Sequence, residues 1–140
     1  MPSAFDRTAL LFPLLCRLLP ALLFCLVARH ASADGLRMLA QRSPLAGAQF
    51  HALPDVWSKL RAGDALTLER EPENRHDRLA VRVLWRGHML GYLPRAANFE
   101  AAAEMDAGQR LSARIGRLTE DADPWKRLRI DVFVELTPER

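Results

Sequence analysis

From Leu128 to Leu136 every second residue is apolar: Leu128, Ile130, Val132, Val134 and Leu136, with Arg129, Asp131, Phe133 and Glu135 between them. A period of two puts alternate side chains on opposite faces of an extended strand, and no helix, repeating every 3.6 residues, can gather those five onto one face. The segment therefore needs an apolar layer on one side and neighbouring strands for its backbone groups. Shorter stretches repeat the pattern. Leu66 and Leu68 alternate with Thr67 and Glu69 in residues 65–70, and Leu111, Ala113 and Ile115 oppose Arg110, Ser112 and Arg114 in residues 110–118. Val81, Val83 and Trp85 oppose Arg82, Leu84 and Arg86, and Arg86-Gly87 turns the chain into His88-Met89-Leu90-Gly91-Tyr92-Leu93, so residues 80–93 predict a β-hairpin.

Elsewhere the period changes. In residues 95–107 Asn98 is a predicted N-cap, and Phe99, Ala102, Ala103 and Met105 supply a helical apolar face ended by Gly108. Pro54 to Leu60 predicts a helical turn with Val56, Trp57 and Leu60 inward, closed by a turn at Gly63-Asp64. Residues 44–53 contain β-formers and a glycine, and are expected as a first strand or extended arm after a polar opening. Five or six short strands, one helix and no β-α-β alternation predict a mainly β domain, a small closed or partly open barrel.

The chain has 140 residues, enough for one small domain. Its 20 Lys and Arg against 17 Asp and Glu leave +3, of which the first 33 residues hold three arginines and one aspartate. The remainder is nearly neutral, which excludes a polycation that grips nucleic acid by charge alone. Both cysteines, Cys16 and Cys25, lie in the N-terminal apolar stretch, so thiolate metal sites, disulfides and cysteine nucleophiles are excluded from the rest.

That stretch, residues 9–28, is broken by Pro13, Arg17 and Pro20. An arginine near the middle of a membrane span costs about 2.5 kcal/mol or more, and a span wants about 20 apolar residues where Leu18 to Ala28 offers 11. With arginines before it and Ala31-Ser32-Ala33 after it, the segment is expected to be a secretory signal peptide cleaved after Ala33. An uncleaved membrane anchor is the alternative. A lipoprotein site is disfavoured by the bulk of Phe24 before Cys25. On this reading residues 34–140 form an exported domain in the periplasm or outside the cell.

The most polar internal segment is Arg70-Glu71-Pro72-Glu73-Asn74-Arg75-His76-Asp77, between two predicted strands. Pro72 stops pairing, and Asn74 and Asp77 are suited to Asx-turns that fix the loop. On spacing alone this is a solvated connection with internal charge pairs.

Three motifs in order, Ala46-Gly47-Ala48-Gln49-Phe50-His51, then Arg70-Glu71-Pro72-x-Asn74-x-His76-Asp77 with Ala80-Val81, then Leu90-Gly91-Tyr92-Leu93-Pro94-Arg95, resemble the HIRAN domain over residues 43–136. The resemblance implies a modified OB-fold-like barrel and a non-catalytic module that binds nucleic acid, with single-stranded DNA at a 3′-hydroxyl end as the expected ligand. A pocket for such an end needs a stacking surface, phosphate donors and an acceptor for the terminal hydroxyl. By the resemblance, Phe50 and His51 match stacking aromatics, Asp77 the hydroxyl-accepting carboxylate, and Asn74 a residue that holds the loop or touches the last nucleotide. Arg95 replaces a lysine and is able to pair with phosphate bidentately. Tyr92 stands where the DNA-end binder has histidine, and His76 where it has tyrosine. Gln49 in place of arginine loses a phosphate-binding charge, and Arg75 removes a proline. The competing assignment makes Phe50 and Tyr92 core aromatics and leaves Asn74 and Asp77 as loop builders.

Catalysis is not expected. His51, His76, His88 and Asp77 are the only candidate metal ligands of the domain and lack helical i, i+4 spacing, phosphate-binding glycine loops are absent, and Ser43, Ser58 and Ser112 have no nucleophile-elbow context. No cofactor is implied. Two other functions remain open at this point: an exported interaction module for a peptide or other anionic ligand, and a metal-assisted hydrolase of phosphate esters using the histidines with Asp77. Eighteen arginines against two lysines are the last feature. Arg82 with Arg86, and Arg110 with Arg114, share strand faces, either as a phosphate-tracking stripe or as a solvated face balanced by Glu69, Asp131 and Glu135.

Overall fold

The computed structural model describes residues 36–136; the expected signal peptide, residues 1–33, lies outside them. Six strands, β1 (Arg37–Pro44), β2 (Ala65–Arg70), β3 (Val81–Trp85), β4 (His88–Tyr92), β5 (Leu111–Leu118) and β6 (Leu128–Glu135), form one antiparallel sheet in the order β1-β6-β5-β2-β3-β4. Three short helices accompany it: α1 (Leu53–Val56), α2 (Phe99–Asp106) and α3 (Pro124–Arg127). None of the described helices is long and apolar enough to cross a membrane.

The long alternating segment becomes β6, at the centre of the larger half of the sheet. Val132 is held between Gln41 of β1 and Ala113 of β5. Leu128, Ile130 and Val132 of β6 join Val81 and Val83 of β3, Leu90 of β4, Ile115 of β5 and Leu45 in a core from which solvent is excluded. Burying a side chain of this size contributes roughly 1.5–3 kcal/mol, so this row supplies the main drive for collapse. Arg86 (φ 48°) and Gly87 (φ 82°) form the two-residue turn of the β3–β4 hairpin, both with the positive φ of a type I′ turn.

The sheet does not close. Its outer strands approach at one point, where Ala46, just past β1, exchanges two backbone hydrogen bonds with Tyr92 at the end of β4 (2.9 and 3.0 Å). This is the partly open form of the expected OB-like barrel.

Three local expectations need correction. The first strand is not in residues 44–53: Gly47 takes a left-handed φ of 69°, Ala48–Phe50 form a 3-10 turn, and the strand is the preceding segment, Arg37–Pro44. Mostly exposed, that segment carries little alternation of its own and is extended because β6 offers it a hydrogen-bonding edge. In α2, Ala101 and Ala102 face the core, while Phe99 is 66% exposed and Ala103 also points outward. Asn98 precedes α2 as expected, but its side chain makes no capping bond to the helix.

Of the four arginines expected to share strand faces, Arg82 and Arg114 are ion-paired. Arg82 pairs with Glu69 (2.6 Å), Arg114 and Arg42 pair with Asp131 (3.1 and 3.3 Å), and Arg86 lies over the Trp85 ring. Arg86 and Arg110 form no salt bridge with a described residue, so the face is balanced only in part.

Candidate nucleic-acid interface

The polar loop after β2 is built from its own side chains. Glu71 N–H donates to the Ala80 carbonyl across the loop base (3.0 Å). Asn74 Oδ1 accepts from the backbone N–H groups of His76 and Asp77 (2.9 and 3.1 Å), and Asp77 Oδ1 accepts from Leu79 N–H (2.9 Å). These are the Asx-turns that the residue types predict. Arg70 fastens the loop from outside, donating to the carbonyls of Arg78 and Ala80 and, through two nitrogens, to the Asp106 carboxylate at the end of α2 (2.9 and 3.0 Å). The pairing raises the Arg70 pKa and lowers that of Asp106, chiefly through these hydrogen bonds.

Beneath the loop, Glu71 Oε2 accepts from Asn74 Nδ2 (2.8 Å) and from the Tyr92 hydroxyl (2.9 Å). The bond from Asn74, then that from Tyr92, holds the Glu71 carboxyl below its ordinary pKa. Burial first, and the Glu71 carboxylate second, raise the pKa of the Tyr92 phenol, so it stays a neutral donor. Gly91 makes this placement possible. A Cβ there would lie 2.4 Å from the Ala46 carbonyl oxygen and 3.1 Å from Leu45 Cγ, so only glycine lets residue 46 bridge to Tyr92.

The outcome is a cleft of about 300 Å³ at the open rim of the sheet. Asn74, His76, Asp77, Tyr92 and Arg95, from segments far apart in the chain, line it together with Ala46 and Gly47. On one wall Asp77 Oδ2 accepts from Asn98 Nδ2 (2.7 Å) and lies 3.8 Å from Arg95 Nε. Arg95 also donates through Nη2 to the His76 carbonyl. A carboxylate and a guanidinium thus stand side by side at the mouth, the first held from below by Asn98, which is 1% exposed. His51 packs edge-on against the Tyr92 ring, centroids 5.6 Å apart. Phe50, in the adjacent 3-10 turn, is 79% exposed and is not among the residues lining the cleft.

The five polar residues singled out from the sequence are therefore neighbours. Phe50 is not a core aromatic, Tyr92 is half-buried, and Asn74 does build the loop. Sequence reasoning missed Glu71, which anchors both Asn74 and Tyr92, and gave Asn98 the role of helix cap when its amide serves Asp77. An asparagine ahead of an apolar helical run signals a cap; nothing local signals a partner 21 residues away. Among the described residues no three His, Cys, Asp or Glu side chains converge to hold a metal ion, and His88 lies instead on the face of Trp85.

An open, six-stranded, OB-like antiparallel sheet with a largely apolar cleft at its rim, edged by a few polar side chains, defines a small ligand-binding β module. The HIRAN domain family model matches residues 38–137, and the chain belongs to the HIRAN family. A solved protein from Lactobacillus plantarum is similar at 28% identity and a TM-score of 0.63, over 72% of this chain and 97% of that one. The HIRAN domain of human HLTF shares the fold at 17% identity and a TM-score of 0.54, over 71% of this chain and 78% of that one. No curated protein matches the chain. HIRAN domains are generally non-catalytic binding modules, and family membership indicates a nucleic-acid-binding one.

Proposed function

We propose that the rim cleft binds the 3′-hydroxyl end of single-stranded DNA. The observation that carries this reading is the pairing of Asp77 with Arg95 at the cleft mouth (3.8 Å). A carboxylate accepts a hydrogen bond from a hydroxyl and repels a phosphodiester, so beside a phosphate-binding cation it favours the one nucleotide whose 3′ oxygen is free. Arg95 has five N–H donors and spends one on the His76 carbonyl, which leaves donors for the preceding phosphate. Exposed Phe50 and the His51–Tyr92 pair offer flat surfaces nearby for base stacking. With the leader-like segment of residues 1–33, the reading is of DNA met outside the cytoplasm.

The test is fluorescence anisotropy with one short labelled strand ending in 3′-hydroxyl or 3′-phosphate. One charge-assisted hydrogen bond is worth about 1.5–3 kcal/mol, so the hydroxyl end should bind about ten-fold tighter or more. Asp77→Ala should erase that preference, while Arg95→Ala should weaken both ends and flatten the salt dependence. Equal affinity of the unaltered protein for the two ends refutes end recognition.

A further inference from the structure

The apolar row of β6 is only partly covered. Leu128, Ile130 and Val132 are buried, Val134 is half-buried, and Leu136, the next residue on the same face, is exposed. The register spreads that bare end over three strands. Met38 of β1 and Leu111 of β5 stand opposite Val134 and so share its face. Leu36 stands beside Leu136, whose N–H donates to the Leu36 carbonyl (2.8 Å). Leu36 is 74% exposed and Met38 56%, so the core face of the sheet continues here beyond its cover.

One helix borders this face. A groove of about 450 Å³ runs between α2 and the sheet, with Met38, Leu111, Val132 and Val134 on its floor and Glu100 and Glu104 on the α2 side. The two glutamates are exposed, stand about one helical turn apart, and form no salt bridge with any described residue. The rim cleft lies elsewhere: Ala46, which lines it, follows the C-terminal end of β1, whereas Leu36 precedes its start.

A bare sheet face is covered by another packed layer, and α2 fixes what kind. A helix laid on the floor alongside α2 turns one stripe of side chains down onto the sheet and the flank next to it sideways towards α2. Apolar and charged contacts then fall within a single groove, and cations one turn apart on that flank meet Glu100 and Glu104. An extended strand on the same floor turns alternate side chains away from it and cannot supply both. Nucleic acid and anionic lipid are disfavoured, because the two carboxylates repel their phosphates.

We propose that this face docks an amphipathic α-helix of a partner protein, apolar along one stripe and basic along the adjoining flank. The stripe covers Leu36, Met38, Val134 and Leu136, and its arginines or lysines pair with Glu100 and Glu104. This surface does not depend on the reading of the rim cleft.

The experiment uses the purified protein and a fluorescein-labelled helical peptide with leucines every three or four residues, arginines one turn apart along one flank, and alanine or glutamine elsewhere. Anisotropy and NMR follow binding. The peptide should bind, shifting resonances of β1, α2 and the end of β6 and leaving those of the rim cleft in place. Three altered peptides should each bind at least ten-fold more weakly: one with glutamate for arginine, one of scrambled order, and one with a central proline that breaks the helix. In the protein, E100K/E104K should cost at least ten-fold, and so should Met38→Asp; all three positions are exposed, so both variants should keep a folded-state NMR spectrum. Failure of the first peptide to bind overturns the proposal, as does equal binding of any altered peptide or indifference to both protein variants. A stable dimer in light scattering with this face at its interface overturns it too, because a second copy would then be the occupant.

Discussion

Replacing Gly91 by alanine tests how the cleft is held. The new Cβ would sit 2.4 Å from the Ala46 carbonyl oxygen and 3.1 and 3.2 Å from two carbons of Leu45. The first distance is impossible, and both neighbours are constrained: Leu45 is 1% exposed and Ala46 is tied to Tyr92 by two backbone hydrogen bonds. The bridge must therefore break and Leu45 must shift as well. Two lost hydrogen bonds cost about 1 kcal/mol each, and overpacking a filled core adds about 1–3 kcal/mol, so the expected loss is about 3–5 kcal/mol. For a domain of roughly 100 residues each kcal/mol moves Tm by about 4–8 °C, which puts the drop on the order of 15 °C or more. Gly63→Ala is the control: φ is 92° there, but nothing lies within 4 Å of the added carbon, so only the backbone penalty of about 1–2 kcal/mol applies. Thermal and urea unfolding measure both variants. A loss at Gly91 no larger than that at Gly63 would refute the close-approach argument.

Asn98→Leu removes the donor to Asp77 Oδ2 from a buried position and should cost about 2 kcal/mol, visible as a lower urea midpoint; an unchanged midpoint contradicts the bond's importance. Because the folded-state pKa of Glu71 is depressed, its contribution to stability is present above the ordinary glutamate value of 4.5 and is lost as pH falls through the lower folded value. Glu71→Gln should therefore flatten that part of the acid limb of a stability-against-pH curve, and parallel curves would exclude the linkage. If the proposed leader is cleaved, N-terminal sequencing of the native protein should begin at Asp34, one residue past the expected cleavage site; a chain still carrying residues 9–28 would refute cleavage there.

The sheet segments were the most legible part of the chain because their signal is local. β2 falls on residues 65–70 as alternation predicts, the Arg86-Gly87 turn sits where the hairpin needs it, and β6 follows its apolar row up to Glu135. β1 was not legible. Arg37–Pro44 mixes arginines with Met38 and Leu39 without clear alternation, and only pairing with β6 makes it a strand. At the site, the motif residues include five side chains that the fold brings to one cleft, but nothing in the motifs shows which partners hold them there.

Local patterning accounts for five of the six strands, β2 to β6, for the helix after Asn98 and for the Asx chemistry of the loop, because each depends on neighbours a few residues away. Long-range packing sets the rest: Asn98 serves Asp77, Tyr92 and Asn74 share Glu71, and Gly91 must lack a side chain for Ala46 to pass. It likewise decided that the sheet stays open along β1. Hydrogen bonds and steric exclusion act over about 3 Å in space whatever the separation in sequence, so the partners are chosen by how the strands are ordered in the sheet.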